Sequence, residues 1–143
     1  MLPEQFCVRM KEMLGEEYAA FYASYDLPKY QALRINPLKT ERDTFLQQAP
    51  FPLNRVPWTT NGYYYSGNDQ PGRHPYHEAG VYYIQEPSAM APAEYLMAEP
   101  GERILDLCAA PGGKSTQIAC SMQGEGLIVC NEIHPARAKI LSE

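Results

Sequence analysis

The stretch Asp106-Leu-Cys-Ala-Ala-Pro-Gly-Gly-Lys114 decides the fold of this chain. The short apolar segment 103–108 leads into it, and good helix formers follow from Lys114 to Met122. Two adjacent glycines, Gly112 and Gly113, permit a tight turn and leave the main chain open to a ligand. Strand, glycine-rich turn and helix in this order predict the first crevice of a doubly wound α/β sheet, where ligands bind at the carboxyl ends of the strands.

Three kinds of glycine-rich loop compete for this stretch. The dinucleotide pattern G-x-G-x-x-G is absent, which disfavours a nicotinamide or flavin cofactor. A Walker loop nearly fits, because Gly113-Lys-Ser115 is in place, but Cys108 stands where that loop has its first glycine. A nucleoside that carries a carboxylate, such as S-adenosylmethionine (SAM), requires an acidic residue at the end of the next strand, about 20 residues on. Glu132 ends the apolar segment 127–132, so the residues favour SAM over ATP.

Each polar residue of this region has a predicted role beside SAM. Lys114, at a helix start, can neutralise the methionine carboxylate, and Glu132 can accept hydrogen bonds from the ribose hydroxyls. Arg137 either lies over the adenosine side or pairs with Glu132, and Asp106 either orients the loop or meets the amino group of SAM. The predicted cofactor-binding residues are Cys108, Ala109, Ala110, Pro111, Gly112, Gly113, Lys114, Glu132 and Arg137.

Three segments carry a resemblance to a known family. Leu107-Cys-Ala-Ala-Pro-Gly-Gly-Lys-Ser-Thr116 resembles the SAM-binding motif of the Sun (also called Fmu, or NOL/NOP/Sun) family of RNA cytosine-5 methyltransferases. Tyr83, Gln85 and Ser88 resemble the Tyr, Gln and Ser of a further family stretch, in which we expect Gln85 and Ser88 to support the ligand loop. Arg34-Ile-Asn36, followed by a proline, is similar to a segment of the family's N-terminal domain.

The resemblance implies an enzyme that transfers a methyl group from SAM to a cytosine in rRNA, with tRNA as the alternative substrate. In that family one cysteine thiolate adds to carbon 6 of cytosine, and a second cysteine helps to remove the proton at carbon 5. Those cysteines lie in Pro-Cys and Thr-Cys motifs, and neither motif occurs here. No catalytic residue is therefore assigned. We expect the nucleophilic cysteines beyond residue 143, and the chain alone to be inactive.

The turn formers of segment 66–75 predict a boundary between two domains. Residues 1–73 are expected to form a small α+β module that contacts RNA, and residues 74–143 the first part of a Rossmann-like SAM-dependent methyltransferase domain. The rest of that domain is expected to be missing, because a parallel sheet of two strands cannot bury both faces. The fold class predicted for the chain is α/β.

Two local features of the N-terminal module also carry predictions. Four aromatic residues at helical spacing, within a helix predicted over 16–25, indicate packing in the core rather than base stacking. They are Tyr18, Phe21, Tyr22 and Tyr25. Thr40, with Asp43 three residues on, predicts the cap of a helix over 41–48.

Composition limits the remaining classes. No apolar run reaches the roughly 18 residues of a membrane helix, and the first residues lack a basic signal-peptide region. Four cysteines without a C-x-x-C pair and three histidines disfavour a metal site and disulfides, so a cytoplasmic protein with free thiols is expected. The net charge of −5 is unusual for an RNA enzyme.

Two alternative functions remain: a Walker-type nucleotide hydrolase, and a non-catalytic RNA-binding or assembly relative. The oligomeric state is left open.

Overall fold

The computed structural model describes residues 2–142, which form a mixed α/β fold with two sheets. The helices are α1 (Glu4–Leu14), α2 (Tyr18–Ala23), α3 (Arg42–Gln48), α4 (Pro75–Glu78), α5 (Ala91–Leu96), α6 (Gly113–Ser121) and α7 (Pro135–Leu141). The strands are β1 (Gln31–Ile35), β2 (Asn54–Arg55), β3 (Gly62–Tyr65), β4 (Tyr82–Ile84), β5 (Arg103–Asp106) and β6 (Leu127–Cys130). The predicted α/β class is confirmed.

The first sheet is antiparallel, with the strand order β2-β3-β1-β4. Leu33 of β1 lies opposite Tyr63 of β3, and Ile35 lies opposite Tyr82 of β4. Because side chains alternate along a strand, these four residues share one face, where they pack with Phe45 of α3. The other face carries the residues in between and turns toward the second half of the chain.

The second sheet is the parallel pair β5 and β6, connected through α6. Ile104 lies opposite Ile128, and both pack against a core that includes Ile118 and Met122. This strand–helix–strand unit places the ends of both strands at one edge, beside the first turn of α6.

The two halves of the chain pack closely. Met90, in the 3₁₀ helix Ser88–Met90, is fully buried against Val56 and Ala32 of the first half. The sheet of the N-terminal module also extends across the predicted division at residues 73 and 74, since β4 pairs with β1. The division itself stays a prediction.

The aromatic residues of α2 and of the 3₁₀ helix Ser24–Asp26 that follows it do not enter the core. Tyr22 is 41% exposed and Tyr25 50% exposed. The rings instead contact one another and α1: the centroids of Phe21 and Tyr25 lie 5.4 Å apart, and those of Phe6 and Phe21 lie 6.2 Å apart. The prediction of core packing was wrong, because helical spacing shows that residues share a face but not which element covers it.

The cap of α3 is Glu41 rather than Thr40. The carboxylate of Glu41 accepts hydrogen bonds from the amides of Thr44 (2.7 Å) and Asp43 (3.0 Å). The prediction for Thr40 was therefore wrong by one residue, because the longer side chain of Glu41 reaches the same free amides. In the part of the chain that the structure describes, no helix combines the length and apolar character needed to span a membrane.

Candidate cofactor-binding site

Asp106 organises the loop between β5 and α6. Its Oδ1 atom accepts a hydrogen bond from the amide of Cys108 (3.1 Å), and its Oδ2 atom accepts one from the hydroxyl of Ser115 (2.7 Å). The carboxylate thus ties both ends of the loop to the end of β5. Of the two roles predicted for Asp106, the structure shows the orientation of the loop.

The loop is also fixed through its main chain. Ala109 donates to the carbonyl of Asn131 (3.0 Å), and Gly112, with φ +116°, donates back to the carbonyl of Ala109 (2.8 Å). Such a φ favours glycine. The first amides of α6, from Gly113 to Ser115, have no partner carbonyl within the helix. Free amides at the positive end of a helix dipole can bind an anionic group.

Gly113 allows a close approach between the loop and β4. A Cβ atom at this position would lie 3.2 Å from Cε1 of Tyr83 and 3.5 Å from Cδ of Gln85. The first of these separations is tighter than an ordinary van der Waals contact. The glycine therefore lets the Tyr83 and Gln85 side chains pack directly beneath the first turn of α6.

Glu132 and Arg137 form a second part of the candidate site. Glu132 follows β6, its side chain is 3% exposed, and its Oε1 atom accepts a hydrogen bond from the amide of His134 (3.0 Å). The hydrogen bond from the amide of His134 is the main cause that lowers the pKa of Glu132 below its ordinary value, and the charge of Arg137 is a smaller one. The carboxylate is therefore ionised at neutral pH.

Arg137 connects this carboxylate to the loop. Its Nη1 atom lies 3.1 Å from Oε2 of Glu132, and its Nη2 atom donates to the carbonyl of Ala110 (2.6 Å). Among residues 2–142, Oε2 of Glu132 has no partner in hydrogen-bond geometry. Of the two roles predicted for Arg137, the structure shows the ion pair with Glu132, and it adds the contact with the loop.

Lys114 lies apart from Glu132 and Arg137. It is exposed and lines a cavity of about 280 Å³ together with Leu105 and Leu107. The structure thus brings Ala110, Glu132 and Arg137 together and places Lys114 at the other end of the loop. Of the remaining predicted residues, Ala109, Ala110 and Gly112 are buried, Gly113 is half-buried, and Cys108 and Pro111 are exposed.

Arg34, named above only for its similarity to a family segment, also belongs to this region and was not predicted as a site residue. This arginine of β1 is 3% exposed, and its Nε atom donates to Oε1 of Gln85 (3.0 Å). Its Nη2 atom donates to the carbonyl of Gly113 (3.2 Å) and to the hydroxyl of Thr116 (2.9 Å). The alternation of side chains along β1 could have indicated this, because it places Arg34 on the other face of the sheet from Leu33.

The two residues expected to support the loop behave differently. Gln85 does support it, since it holds Arg34 and also donates to the carbonyl of Ala89 (3.0 Å). The hydroxyl of Ser88 instead donates to the carboxylate of Glu86. In the described part of the chain, no cluster of histidine, cysteine and acidic residues is suited to hold a metal ion.

Comparison with known proteins places this geometry in a family. A family model described as the N-terminal domain of 16S rRNA methyltransferase RsmF matches residues 2–87, more than half of the chain. The chain belongs to the RsmF family. A second model, described as 16S rRNA methyltransferase RsmB/F, matches residues 93–143, so the cofactor loop lies in the methyltransferase part of the family. The resemblance found in the sequence is confirmed.

Relatives within the RsmF family are considerably longer than this chain. Ribosomal RNA small subunit methyltransferase F of Enterobacter sp. (strain 638) is 37% identical over 150 residues, which cover 97% of this chain and 31% of that protein. The protein of the same name from Cronobacter sakazakii is 38% identical over 151 residues, covering 98% and 32%. The chain therefore spans about a third of the length of these relatives.

A solved structure supports the fold. The methyltransferase homolog protein from Pyrococcus horikoshii superimposes with a TM-score of 0.83 at 28% sequence identity, covering 99% of this chain and 48% of that one. The start of a Rossmann-like methyltransferase domain after an N-terminal module is thereby confirmed. The family also favours the methyltransferase interpretation over a Walker-type hydrolase.

Proposed function

We propose that the chain is the cofactor-binding part of a SAM-dependent RNA (cytosine-5)-methyltransferase that acts on rRNA. The observation that carries this proposal is the loop anchored by Asp106, with a buried carboxylate, Glu132, at the end of the neighbouring parallel strand. Matching relatives are named ribosomal RNA small subunit methyltransferases, which supports rRNA over tRNA as the substrate.

The polar groups of the site fit the two ends of SAM. Lys114 and the free amides of the first turn of α6 suit the methionine carboxylate. Glu132, whose Oε2 atom is buried without a hydrogen-bond partner in the described residues, suits the ribose hydroxyls. Arg137 covers that atom, so its half-exposed side chain has to share Glu132 with the ribose or turn away from it. SAM, when bound, supplies the methyl group. The residues proposed to bind it are Cys108, Ala109, Ala110, Pro111, Gly112, Gly113, Lys114, Glu132 and Arg137.

The chemical step needs groups that this sequence does not carry. Neither a Pro-Cys nor a Thr-Cys motif occurs in it, and Cys7, Cys108, Cys120 and Cys130 are free thiols outside such motifs. We therefore propose that the 143 residues bind the cofactor but do not methylate RNA alone. The N-terminal module would contact RNA, and the protein would act in the cytoplasm.

Binding of S-adenosylhomocysteine, the product of SAM, tests the cofactor site. Titration calorimetry on the 143-residue chain should show binding, and Glu132→Gln should weaken it about tenfold or more, since a ribose hydroxyl then loses a charged acceptor. Glu125→Gln, at an exposed residue just before β6, is the matched control and should bind like the wild type. Magnesium-dependent ATP binding that survives Glu132→Gln would instead support the hydrolase.

A second experiment tests the reaction and its substrate. The whole gene product is incubated with isotope-labelled SAM and RNA from cells that lack the gene, and digested nucleosides of the separated rRNA and tRNA are read by mass spectrometry. Label in 5-methylcytidine of rRNA is expected. Label in another nucleoside would keep the cofactor and reject the cytosine-5 chemistry, and methylation by the 143 residues alone would contradict their proposed inactivity.

A further inference from the structure

A buried arginine of the first sheet reaches the cofactor loop. Arg34 lies on the face of the sheet that is covered by α6, and it holds the carbonyl of Gly113 and the hydroxyl of Thr116. Gly113 and Lys114 belong to the segment that the methyltransferase family model matches, whereas Arg34 belongs to the segment matched by the N-terminal model. The hydrogen bonds therefore cross the division between the two family models.

No carboxylate pairs directly with Arg34 within residues 2–142. Burial lowers the pKa of its guanidinium, and Cys120 and Glu94 oppose part of that lowering. Its acceptors are Gln85, Gly113, Thr116 and the sulfur of Cys120 (3.7 Å), none of which is a carboxylate. A buried charge without a directly paired counter-charge lowers stability, as does a cation at the positive end of a helix. Arg34 is thus poorly explained as a stabilising residue.

The same contacts fix the geometry of a free amide. The carbonyl of Gly113 and the amide of Lys114 belong to one planar peptide group. Arg34 holds that carbonyl at 3.2 Å, and Tyr83 packs against the Cα of Gly113 from below. The direction of the Lys114 N–H, one of the amides available to an anionic ligand, is therefore fixed by a side chain of β1 in addition to the helix itself.

We infer that Arg34 is a positioning residue of the cofactor site. It helps to orient the peptide between Gly113 and Lys114, and its charge, which no carboxylate pairs with directly, adds to the attraction of this region for the carboxylate of the methyl donor. The N-terminal sheet is then a structural part of the cofactor site, in addition to the RNA contact proposed for its module. This inference rests on the proposed function, in which the loop binds SAM.

Two readouts on the 143-residue chain test the inference. Arg34→Lys keeps the charge but cannot hold Gln85, Gly113 and Thr116 at once. It should raise the dissociation constant of S-adenosylhomocysteine about tenfold and speed amide hydrogen exchange of segment 107–116 without ligand. The control is Tyr82→Phe on the opposite face of the sheet, which removes the hydrogen bond to the carbonyl of Pro71 (2.8 Å). It should lower the Tm and leave both readouts unchanged.

The outcomes separate the inference from the proposed function. Wild-type affinity together with wild-type exchange in Arg34→Lys would overturn the inference, as would equal changes in Tyr82→Phe. A wild-type chain that does not bind S-adenosylhomocysteine would overturn the proposed function, while loop exchange would still decide whether Arg34 orders the loop. If Arg34→Lys does not fold, Thr116→Val, at a largely exposed residue of α6, removes one acceptor of Arg34 and should produce the same two changes.

Discussion

Gly126, at the entry to β6, offers a sharp test of the second sheet. Its φ is +108°, and a Cβ atom there would overlap the carbonyl oxygen of Glu102 and lie 2.5 Å from Cε of Met122. Met122 has a flexible side chain that can move. Glu102 cannot move freely, because its carbonyl accepts the hydrogen bond from the amide of Leu127 (2.9 Å) that starts the pairing of β5 and β6.

The cost of Gly126→Ala follows from these contacts. A left-handed conformation costs a residue with a side chain about 1–2 kcal/mol. Relief of the overlap adds about 1–3 kcal/mol of strain or backbone shift, including part of a hydrogen bond worth about 1 kcal/mol. We expect a loss of about 3–4 kcal/mol in the free energy of unfolding. Gly124→Ala is the matched control, since Gly124 has φ +84° but nothing within 4 Å of the added Cβ, and it should lose only the first contribution.

Urea unfolding of the 143-residue chain, followed by circular dichroism, measures both losses. The two variants should differ in their unfolding midpoints and agree in the slope m, which depends on the surface exposed on unfolding. Equal losses at Gly126 and Gly124 would refute the argument, because they would show that contact with Glu102 contributes nothing.

Two further predictions concern the first sheet and its helix. Tyr82→Phe should lower the free energy of unfolding by about 1 kcal/mol in the same urea assay, because the buried carbonyl of Pro71 loses the tyrosine hydroxyl and keeps only the amide of His74 (3.1 Å); an unchanged midpoint would contradict this. Hydrogen bonds from the amide of Thr44 and then from that of Asp43 lower the pKa of Glu41. The stabilisation that the ionised Glu41 gives to the folded state is therefore fully present above the ordinary pKa of a glutamate, and it is lost as the pH falls through the lowered pKa. Thermal scans from pH 7 to about pH 3 should therefore show a larger loss of Tm for the wild type than for Glu41→Gln, and parallel losses would count against the cap.

The loop between β5 and α6 was largely predictable because its signals are local. Glycines after an apolar segment specify the turn, and the carboxyl ends of adjacent parallel strands meet at one edge. That rule placed Asp106 and Glu132 near the same loop before any contact was known. The pairing of Glu132 with Arg137 was one of two alternatives, and distance decided between them.

The contacts between the halves of the chain were not predictable in the same way. Arg34 lies 79 residues before Gly113, and no periodicity links positions so far apart. The prediction for Gly113 was also incomplete, because it considered only the approach of a ligand, whereas the absent side chain also makes room for Tyr83. Such contacts depend on how the first sheet packs against α6. Many residues of both elements together determine that packing, so no short sequence pattern predicts it.

The docking of the first sheet onto α6 has a consequence for the recombination of these genes. A crossover between residues 87 and 93 would separate Arg34 and Gln85 from Gly113 and Thr116. Chimeras joined there would inherit the two sides of one hydrogen-bond network from different parents, and they should work only when both parents keep matching residues. A crossover just after α2, whose residues remain outside the core, would leave the network intact. Exchange of N-terminal ends between relatives should therefore succeed more often near residue 27 than near residue 90.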